Sequence, residues 1–338
     1  MIKKKVVVVG GGPAGHNAAA LAARYGAQVV LVERDVIGGL AHLRDCVPSK
    51  SMIATGGALS FARRLDGMGL AQVETEINVQ QLRNRIQSIE DRLERSVTEL
   101  LTSLEVQIIR GTAHLSGPNS VSVKTEVDEI EIEADVIVLA TGSRPRIPEW
   151  AVIDSERILT TRDAYPPKEI PEQLVVVGSG VTGVEFVHMF SSLGSEVTLI
   201  VSRQQVLPNK DPEAAALLEQ TFLDRGVQLF KGARATGIKR TGQKVEVYCS
   251  DGRLAKGSHA LIAIGSQPNT ESLGLDNANV LLNSDGHVEV DHNLKSSVPS
   301  IYVAGDLSGK LPLSSVAAMQ GRKIAEHIMG LHDGRPHR

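Results

Sequence analysis

The sequence has 338 residues, more than the roughly 250 to 300 at which a single hydrophobic core stops growing, so we expect two domains. Its 36 Lys and Arg residues nearly balance 39 Asp and Glu, and the net charge of -3 lacks the basic excess typical of proteins that bind nucleic acid or anionic membranes. Only two cysteines are present, which excludes a secreted disulfide framework. The apolar run Val6 to Val9 is far too short for a signal or membrane segment, and we expect a cytoplasmic protein without membrane insertion.

The chain opens with the pattern of a strand, a glycine turn, a helix and a second strand. Val6 to Val9 predict the first strand, the alanine-rich stretch Asn17 to Tyr25 the helix, and Val29 to Val32 the second strand. The same order returns later, at Leu174 to Val177, Gly178 to Gly183, Val184 to Leu193 and Val197 to Val201. This repeat predicts an α/β fold class with two Rossmann-like dinucleotide-binding domains.

A long amphipathic helix is predicted between the two units. Its apolar residues recur at steps of three and four, and they are Val79, Leu82, Ile86, Ile89, Leu93, Val97, Leu100 and Leu104. This spacing places them on one face, so we expect the helix to serve in packing.

Each unit also carries a predicted antiparallel meander. The first consists of Val106 to Ile109, Ser120 to Lys124 and Glu129 to Ile132, and it precedes the predicted strand Val136 to Leu139. The second consists of Val245 to Tyr248 and Arg253 to Ala255, before the predicted strand Ala260 to Ile264. A proline-rich stretch from Pro145 to Pro171 marks the crossing between the domains.

The first glycine turn has the residues of a dinucleotide-binding loop. Gly10, Gly12 and Gly15 match G-x-G-x-x-G, in which the glycines allow a sharp turn, a close approach of the diphosphate and close packing of helix on strand. Glu33 ends the second strand, where a ribose-binding carboxylate is expected. Pro13 cannot donate a hydrogen bond, so its neighbours must hold the anion.

The second turn, with Gly178, Gly180 and Gly183, has the same spacing but a different strand end. The strand that follows it ends in Val201, Ser202 and Arg203, with no carboxylate where the first unit has Glu33. Serine and arginine tolerate or attract the 2'-phosphate of NADP, whereas a carboxylate would accept the 2'-hydroxyl of NAD. Arg203 could equally be a solvated loop residue.

Six ordered motifs together resemble the flavoprotein disulfide reductases. They are VVVVGGGPAG, GGLAHLRDCVPSK, VIVLATGSRP, VVVGSGVTGVEF, LIAIGSQPN and IYVAGDLSG, and they span nearly the whole chain. The resemblance implies an FAD-binding domain at 1–149 and 272–338, interrupted by an NAD(P)-binding domain at 150–271. It also implies FAD, NADP and NAD as cofactors.

The resemblance further implies the roles of individual residues. Asp306 of the AGD motif would hydrogen-bond the flavin ribityl chain, and Lys50 of the PSK segment would lie near flavin N5 and pair with Glu185. Thr141 and Gly142 would approach FAD through their backbone. The remaining implied contacts are Pro13, Ala14, Arg34 and Gly39 for FAD, and Val181, Thr182 and Gly265 for NAD(P).

Two departures from the family pattern bear on chemistry. Members that reduce disulfides carry two cysteines five positions apart, and here only the distal one remains, as Cys46, while Ala41 occupies the proximal position. In those members the proximal cysteine attacks the substrate disulfide. Because alanine has no thiol, a redox dithiol is not expected here. Cys249 is predicted to be a small core residue.

The second departure lies at the C-terminus. Family members continue into a dimerisation domain that gives a His-Glu pair to the partner, and we do not expect that domain here, because the sequence ends at Arg338 soon after GRKIAEHIMG. A homodimer is expected for the family. His327, His332 and His337 do not reproduce the pattern of the His-Glu pair, and no metal site is expected from them.

Loss of the proximal cysteine with retention of DCVPSK is similar to the NAD(P)H:quinone reductase branch of the family. The resemblance then implies hydride transfer from NAD(P)H through FAD to a quinone. The alternatives are a soluble pyridine nucleotide transhydrogenase, a lipoamide dehydrogenase-like disulfide reductase, a single-cysteine peroxidase cycling through sulfenic acid, and a non-catalytic nucleotide-binding flavoprotein.

Overall fold

The computed structural model describes residues 3–71 and 75–331, which divide into two compact units. The first unit takes its residues from 1–44, 89–144 and 267–338, and the second from 45–88 and 145–266. The chain thus enters the second unit twice. The longer stretch overlaps the region in which the sequence predicts an inserted domain, whereas the segment 45–88 has no counterpart in that prediction.

A parallel five-stranded sheet forms the centre of the first unit. Its strands lie in the order β18-β7-β1-β2-β3, and they are β1 (Lys5–Val9), β2 (Gln28–Glu33), β3 (Gln107–Arg110), β7 (Val136–Leu139) and β18 (Ile301–Val303). The helices are α1 (Pro13–Arg24), α3 (Val79–Ser103), whose first turns fall in the second unit, and α6 (Ser314–Ile328). Val6 to Val9 are buried on both faces of the sheet, which explains why this strand is a continuous apolar run.

The second unit repeats this arrangement. Its parallel sheet has the order β12-β11-β10-β16-β9, formed by β9 (Ile158–Thr160), β10 (Gln173–Val177), β11 (Glu196–Val201), β12 (Gln228–Lys231) and β16 (His259–Ile262). The helices are α2 (Val47–Ala62), α4 (Val181–Leu193) and α5 (Pro212–Asp224). In both sheets the strand before the glycine loop lies at the centre, between the strand that follows the helix and the strand that follows the meander. The α/β fold class predicted from the repeat is therefore confirmed.

The two meanders are three-stranded antiparallel sheets. They consist of β4 (Thr112–Gly117), β5 (Ser120–Lys124) and β6 (Glu129–Glu133), and of β13 (Ala235–Thr241), β14 (Lys244–Cys249) and β15 (Leu254–Gly257). Two short strands, β8 (Ser143–Pro145) and β17 (Ser266–Pro268), complete the set. The assignment of 106–109 to the first meander is wrong, because residues 107–110 form β3, which pairs in parallel with β2. A four-residue apolar segment does not reveal which neighbour it pairs with.

The helices after both glycine turns begin earlier than the sequence predicts. Helix α1 starts at Pro13 rather than Asn17, and α4 starts at Val181 rather than Val184. The first turns contain glycine or proline, so hydrophobic periodicity does not detect these starts. Proline is nevertheless favoured at the first helical position. The predicted long helix is confirmed as α3, which ends at Ser103.

Candidate nucleotide-binding loops and active site

The first glycine loop is shaped by close backbone approaches. Gly10 has φ of +105°, and a β carbon at this position would overlap the carbonyl of Ala140. A β carbon on Gly15 would overlap the carbonyl oxygen of Gly10, which allows α1 to pack directly on the end of β1. Both positions therefore require glycine for steric reasons within the protein itself.

The second loop has the same geometry at the equivalent positions. Gly178 has φ of +113°, and a β carbon there would overlap the carbonyl of Ala263. A β carbon on Gly183 would overlap the carbonyl oxygen of Gly178. The resemblance between the two units thus extends from strand order to individual backbone contacts.

The middle glycines, Gly12 and Gly180, are not required by packing. They cap the N-termini of α1 and α4 with φ and ψ of -65° and -176° in the first loop and -70° and -176° in the second. A β carbon on Gly12 would lie 3.7 Å from its nearest neighbour, the Cα of Gly39, and one on Gly180 would meet nothing within 4 Å. This open space at a helix N-terminus fits a diphosphate, and a side chain would fill it.

The ends of the second strands differ between the units. The Glu33 carboxylate accepts hydrogen bonds from the backbone of Gly11 at 2.7 Å and of Asp35 at 2.8 Å, so it is fixed beside the first loop. The residue of β11 at the position of Glu33 is Val201, and Ser202 and Arg203, which follow it, both have exposed side chains. A carboxylate therefore lies beside one loop, and a hydroxyl and a guanidinium follow the equivalent strand of the other. Arg34 is exposed next to Glu33.

Asp306 and the ATG segment are held together within the first unit. Ser143 Oγ donates to Asp306 Oδ2 at 2.6 Å. Asn269 Nδ2 donates to the carbonyl of Thr141 at 2.8 Å, and Thr141 Oγ1 donates to the carbonyl of Asn269 at 3.0 Å. Gly142 follows with φ of +68°, and its carbonyl accepts from the Asn269 backbone at 2.9 Å.

Sequence reasoning missed Ser143 and Asn269 as contributors to this site. Both lie in motifs that the sequence singles out, SRP after ATG and QPN after IGS, but their partners are 163 and 128 residues away. The local signal is weak: Ser143 directly follows Gly142, and Asn269 lies four residues after Gly265.

Lys50 and Glu185 meet in the second unit. Lys50 Nζ lies 2.6 Å from Glu185 Oε1, although the residues are 135 positions apart. Lys50 belongs to the first turn of α2 and Glu185 to α4, two helices that pack against each other. The lysine side chain is 65% exposed and the glutamate 30%. The structure therefore brings together the two residues whose pairing the resemblance implies.

The segment around the missing cysteine is a π-helix. It runs from Ala41 to Cys46 and leads directly into α2. Cys46 is half-buried, and Ala41 stands at the opposite end of the same short helix. Cys249 lies in β14, where it belongs to the buried core as predicted, and burial and then Asp251 raise the pKa of its thiol.

Residues 3–71 and 75–331 contain no group of three or more His, Cys, Asp or Glu side chains arranged to hold a metal. Among the same residues, no helix combines the length and the hydropathy that a membrane span requires. His327 Nδ1 lies 2.8 Å from the Tyr302 hydroxyl. His332 and His337 lie outside the described residues.

The family model of the pyridine nucleotide-disulphide oxidoreductases matches residues 4–321, which include both glycine loops, Lys50, Glu185 and Asp306. The chain belongs to this family. The resemblance drawn from the six sequence motifs is therefore confirmed. As a family member, the protein is an FAD-dependent oxidoreductase that uses a pyridine nucleotide.

Individual relatives cover almost the whole chain. A Mycobacterium tuberculosis protein named NAD(P)H dehydrogenase (quinone) is 43% identical over 338 residues, which are 96% of this chain and 69% of the relative. A dihydrolipoyl dehydrogenase of Chlamydia muridarum is 33% identical, over 97% of this chain and 70% of the relative. The crystal structure of LpdA from Mycobacterium tuberculosis matches with a TM-score of 0.92 at 42% identity, over 99% of this chain and 74% of that one.

Proposed function

We propose that this chain passes hydride from NAD(P)H through FAD to a quinone-type small molecule, without a redox disulfide. The observation that carries the proposal is the π-helix that begins at Ala41 and ends at Cys46. Disulfide reduction uses one thiolate to attack the substrate and a second to resolve the mixed disulfide, and this segment has one thiol. A quinone needs no thiol relay, because it takes electrons directly from reduced flavin.

The relatives support the same acceptor class. The mycobacterial relative whose name specifies a quinone is 43% identical, against 33% for the chlamydial dihydrolipoyl dehydrogenase. The relatives described above are named as a quinone dehydrogenase and as a dihydrolipoyl dehydrogenase, not as a transhydrogenase or a peroxidase.

In this proposal FAD binds to the domain formed by 1–149 and 272–338. The open space at Gly12 receives the diphosphate, Glu33 accepts a ribose hydroxyl, and Asp306 accepts from the ribityl chain. Glu33 and Asp306 are both fixed by hydrogen bonds within the protein, which favours binding because little ordering is then required. The other proposed contacts are Gly10, Pro13, Ala14, Gly15, Arg34, Gly39, Thr141 and Gly142.

The nicotinamide dinucleotide binds in this proposal to the domain formed by 150–271. The open space at Gly180 receives its diphosphate, and Ser202 and Arg203 lie where the 2'-position of the ribose is read. With Val201 at the position of Glu33 and an exposed guanidinium two residues later, the strand end suits NADPH and does not exclude NADH. The other proposed contacts are Gly178, Val181, Thr182, Gly183 and Gly265.

Lys50, Glu185 and Cys46 are the proposed active-site residues. Bound FAD supplies an isoalloxazine ring that takes up hydride and gives up two electrons. The Lys50 ammonium stabilises negative charge on the reduced ring, and Glu185 orients the ammonium through its 2.6 Å contact. Cys46 borders this site but is not on the electron path to a quinone.

We further propose a homodimer in the cytoplasm. Dimerisation is the expectation for the family, and a chain with only two cysteines suits a reducing compartment. Sedimentation of the purified protein tests the dimer, and a single monomeric species would contradict it.

Anaerobic titration of the purified protein with NADPH tests the proposed function. The flavin absorption band should bleach without a long-wavelength band from thiolate to flavin, and added naphthoquinone should restore it. Lipoamide and glutathione disulfide should leave the flavin reduced. Reoxidation by lipoamide at the rate given by the quinone would refute the proposal.

A further inference from the structure

The loops that follow β2 and β11 are each bound to a carboxylate on a helix of the same unit. In the first unit, Glu94 Oε1 of α3 accepts a hydrogen bond from the backbone N–H of Ile37 at 3.1 Å. In the second unit, Glu219 Oε1 of α5 accepts one from the backbone N–H of Val206 at 2.9 Å. Ile37 and Val206 are fully buried, so each N–H needs an acceptor within the protein.

Each carboxylate also binds the basic residue that ends the next strand of the sheet. Glu94 pairs with Arg110 at the end of β3, with 3.0 Å between the charged atoms. Glu219 pairs with Lys231 at the end of β12, at 2.7 Å. In register, Arg110 lies beside the last residue of β2, and Lys231 lies beside the last residue of β11. The two ion pairs therefore stand at equivalent places, next to the strand ends where a ribose is expected.

The next residue of each loop donates to the glycine loop. The backbone N–H of Gly38 donates to the carbonyl of Gly11 at 3.0 Å, and that of Leu207 donates to the carbonyl of Ser179 at 2.8 Å. Gly38 and Leu207 have φ of +112° and +49°. Residues with a side chain rarely adopt positive φ, so the contacts around Leu207 must hold it there. Each carboxylate is thus one residue away from the backbone that borders the space for a diphosphate.

The same set of contacts arises in two helices of different sequence. Helix α3 has 25 residues and α5 has 13, and each precedes the strand whose basic end residue its carboxylate binds. A shared local sequence therefore does not explain the repeat. What the two sets have in common is their place, between the end of the second Rossmann strand and the glycine loop.

We propose that Glu94 and Glu219 are positioning residues for the two nucleotide sites, Glu94 for FAD and Glu219 for the nicotinamide dinucleotide. The proposal rests on the proposed function only for which nucleotide each unit binds. Each carboxylate fixes the loop that connects the ribose end of the site to its diphosphate end. Both act through the loop backbone rather than on the nucleotide itself.

Methionine at either position tests the proposal, because it keeps about the length of glutamate and removes the acceptor. Glu94→Met and Glu219→Met serve as controls for each other, since each alters one unit. Glutamine at the same positions should restore the wild-type behaviour in large part. Its amide oxygen can still accept from the loop N–H, and the basic partners, whose side chains are 52% and 40% exposed, can turn to water.

Two further variants control for the loss of a carboxylate on the same helix. Glu99→Ala removes an exposed carboxylate of α3, and Glu213→Ala removes an exposed one of α5. Neither should change the affinity for a nucleotide. Thermal unfolding establishes that each variant is folded before it is compared with the wild type.

The first measurement is hydrogen–deuterium exchange at saturating FAD and without coenzyme. Residues 34–38 and 203–207 should exchange slowly in the wild type. Glu94→Met should speed exchange about tenfold in 34–38 alone, and Glu219→Met in 203–207 alone, because each loses one hydrogen bond to a charged group. Rapid exchange of either loop in the wild type would overturn the proposal, and this result needs no variant to fold.

The second measurement is nucleotide affinity. Glu94→Met should raise the Kd for FAD about tenfold, read from the fluorescence of flavin released on dilution. Glu219→Met should raise the Kd for NADP⁺ about tenfold, read by calorimetry on the FAD-loaded protein. Each should leave the other constant within about twofold, and the glutamine variants should regain most of the affinity. Constants that stay unchanged, or that rise together in both methionine variants, would overturn the proposal.

These binding constants are independent of the electron acceptor. A wild type that binds both nucleotides, but whose reduced flavin is not reoxidised by naphthoquinone, would refute the proposed function. The roles of Glu94 and Glu219 would still be decided by the two Kd values.

Discussion

Gly56 of α2 lies so close to Ser192 of α4 that a β carbon on Gly56 would be 2.9 Å from the Ser192 β carbon. The two helices therefore approach each other through a position that has no side chain. The same two helices carry Lys50 and Glu185, which are 2.6 Å apart six and seven residues earlier. The separation that Gly56 permits is thus also the separation that lets the ion pair form.

Replacing Gly56 by alanine should destabilise the protein by about 1 to 3 kcal/mol, because a buried helix contact becomes overpacked and the helices must shift. Gly57→Ala is the matched control: its β carbon would meet nothing within 4 Å, and the gain in helix propensity should stabilise the protein by up to about 1 kcal/mol. Urea unfolding of the two variants measures the difference. Equal stabilities would show that the Gly56 contact yields without cost.

The middle glycines of the two loops provide a matched pair of substitutions. Gly12→Val should give a folded but colourless protein, because the side chain occupies the space of the FAD diphosphate while a φ of -65° suits any residue. Gly180→Val should give a yellow protein whose flavin is reduced by dithionite but not by NADPH. Flavin content and anaerobic spectra measure both. Loss of FAD in Gly180→Val but not in Gly12→Val would reverse the assignment of the two domains.

The duplicated fold could be predicted because its determinants are local. The apolar runs at Val6 to Val9 and Leu174 to Val177 and the glycine spacings after them are contiguous in the sequence. The strand β3 was misassigned because the pattern of a short apolar segment is the same in a parallel sheet and in a meander. Pairing partners depend on tertiary structure, which periodicity does not report.

Part of the candidate site could likewise be predicted, namely the part whose sequence signal is local. Gly10, Glu33 and Gly178 carry a spacing signal, whereas Lys50, Glu185 and Asp306 are candidates only through resemblance to a family. Asn269 was missed because its partner, Thr141, is 128 residues away in the sequence.

Ser143 should contribute to FAD affinity through Asp306. It donates to Oδ2 at 2.6 Å, which leaves the other carboxylate oxygen to accept from the ribityl chain. Asp306→Ala should abolish flavin retention, and Ser143→Ala should weaken the Kd for FAD about tenfold, the usual effect of losing a hydrogen bond to a charged group. Ser143→Thr should restore binding. Asp285→Ala, at an exposed turn, is the control, and a Ser143→Ala protein that binds FAD like the wild type would remove Ser143 from this role.

Arg203 should select for NADPH. Arg203→Ala should raise the KM for NADPH more than that for NADH, because only NADPH carries the 2'-phosphate that a guanidinium binds in two-point contact. Arg203→Lys should retain part of the preference, since it keeps the charge and loses the planar geometry. Steady-state measurements with both coenzymes decide the matter. If the two KM values rise by the same factor in Arg203→Ala, this residue does not read the 2'-phosphate.

Substitution of the two cysteines distinguishes direct electron transfer from flavin to a quinone from a reaction that uses a thiol. Cys46→Ser should keep quinone turnover within about twofold of the wild type, because electrons that pass directly from flavin to a quinone do not cross the thiol. Cys249→Ser is the control for the loss of a thiol elsewhere. Because Cys249 is buried in β14, its replacement should lower stability without changing turnover per bound flavin.

The unmodified protein should reduce lipoamide no faster than the Cys46→Ser variant, because without a cysteine at position 41 no thiolate pair can attack and resolve the substrate disulfide. Lipoamide turnover that equals quinone turnover in the wild type and disappears in Cys46→Ser would place the thiol on the electron path and refute direct transfer to a quinone.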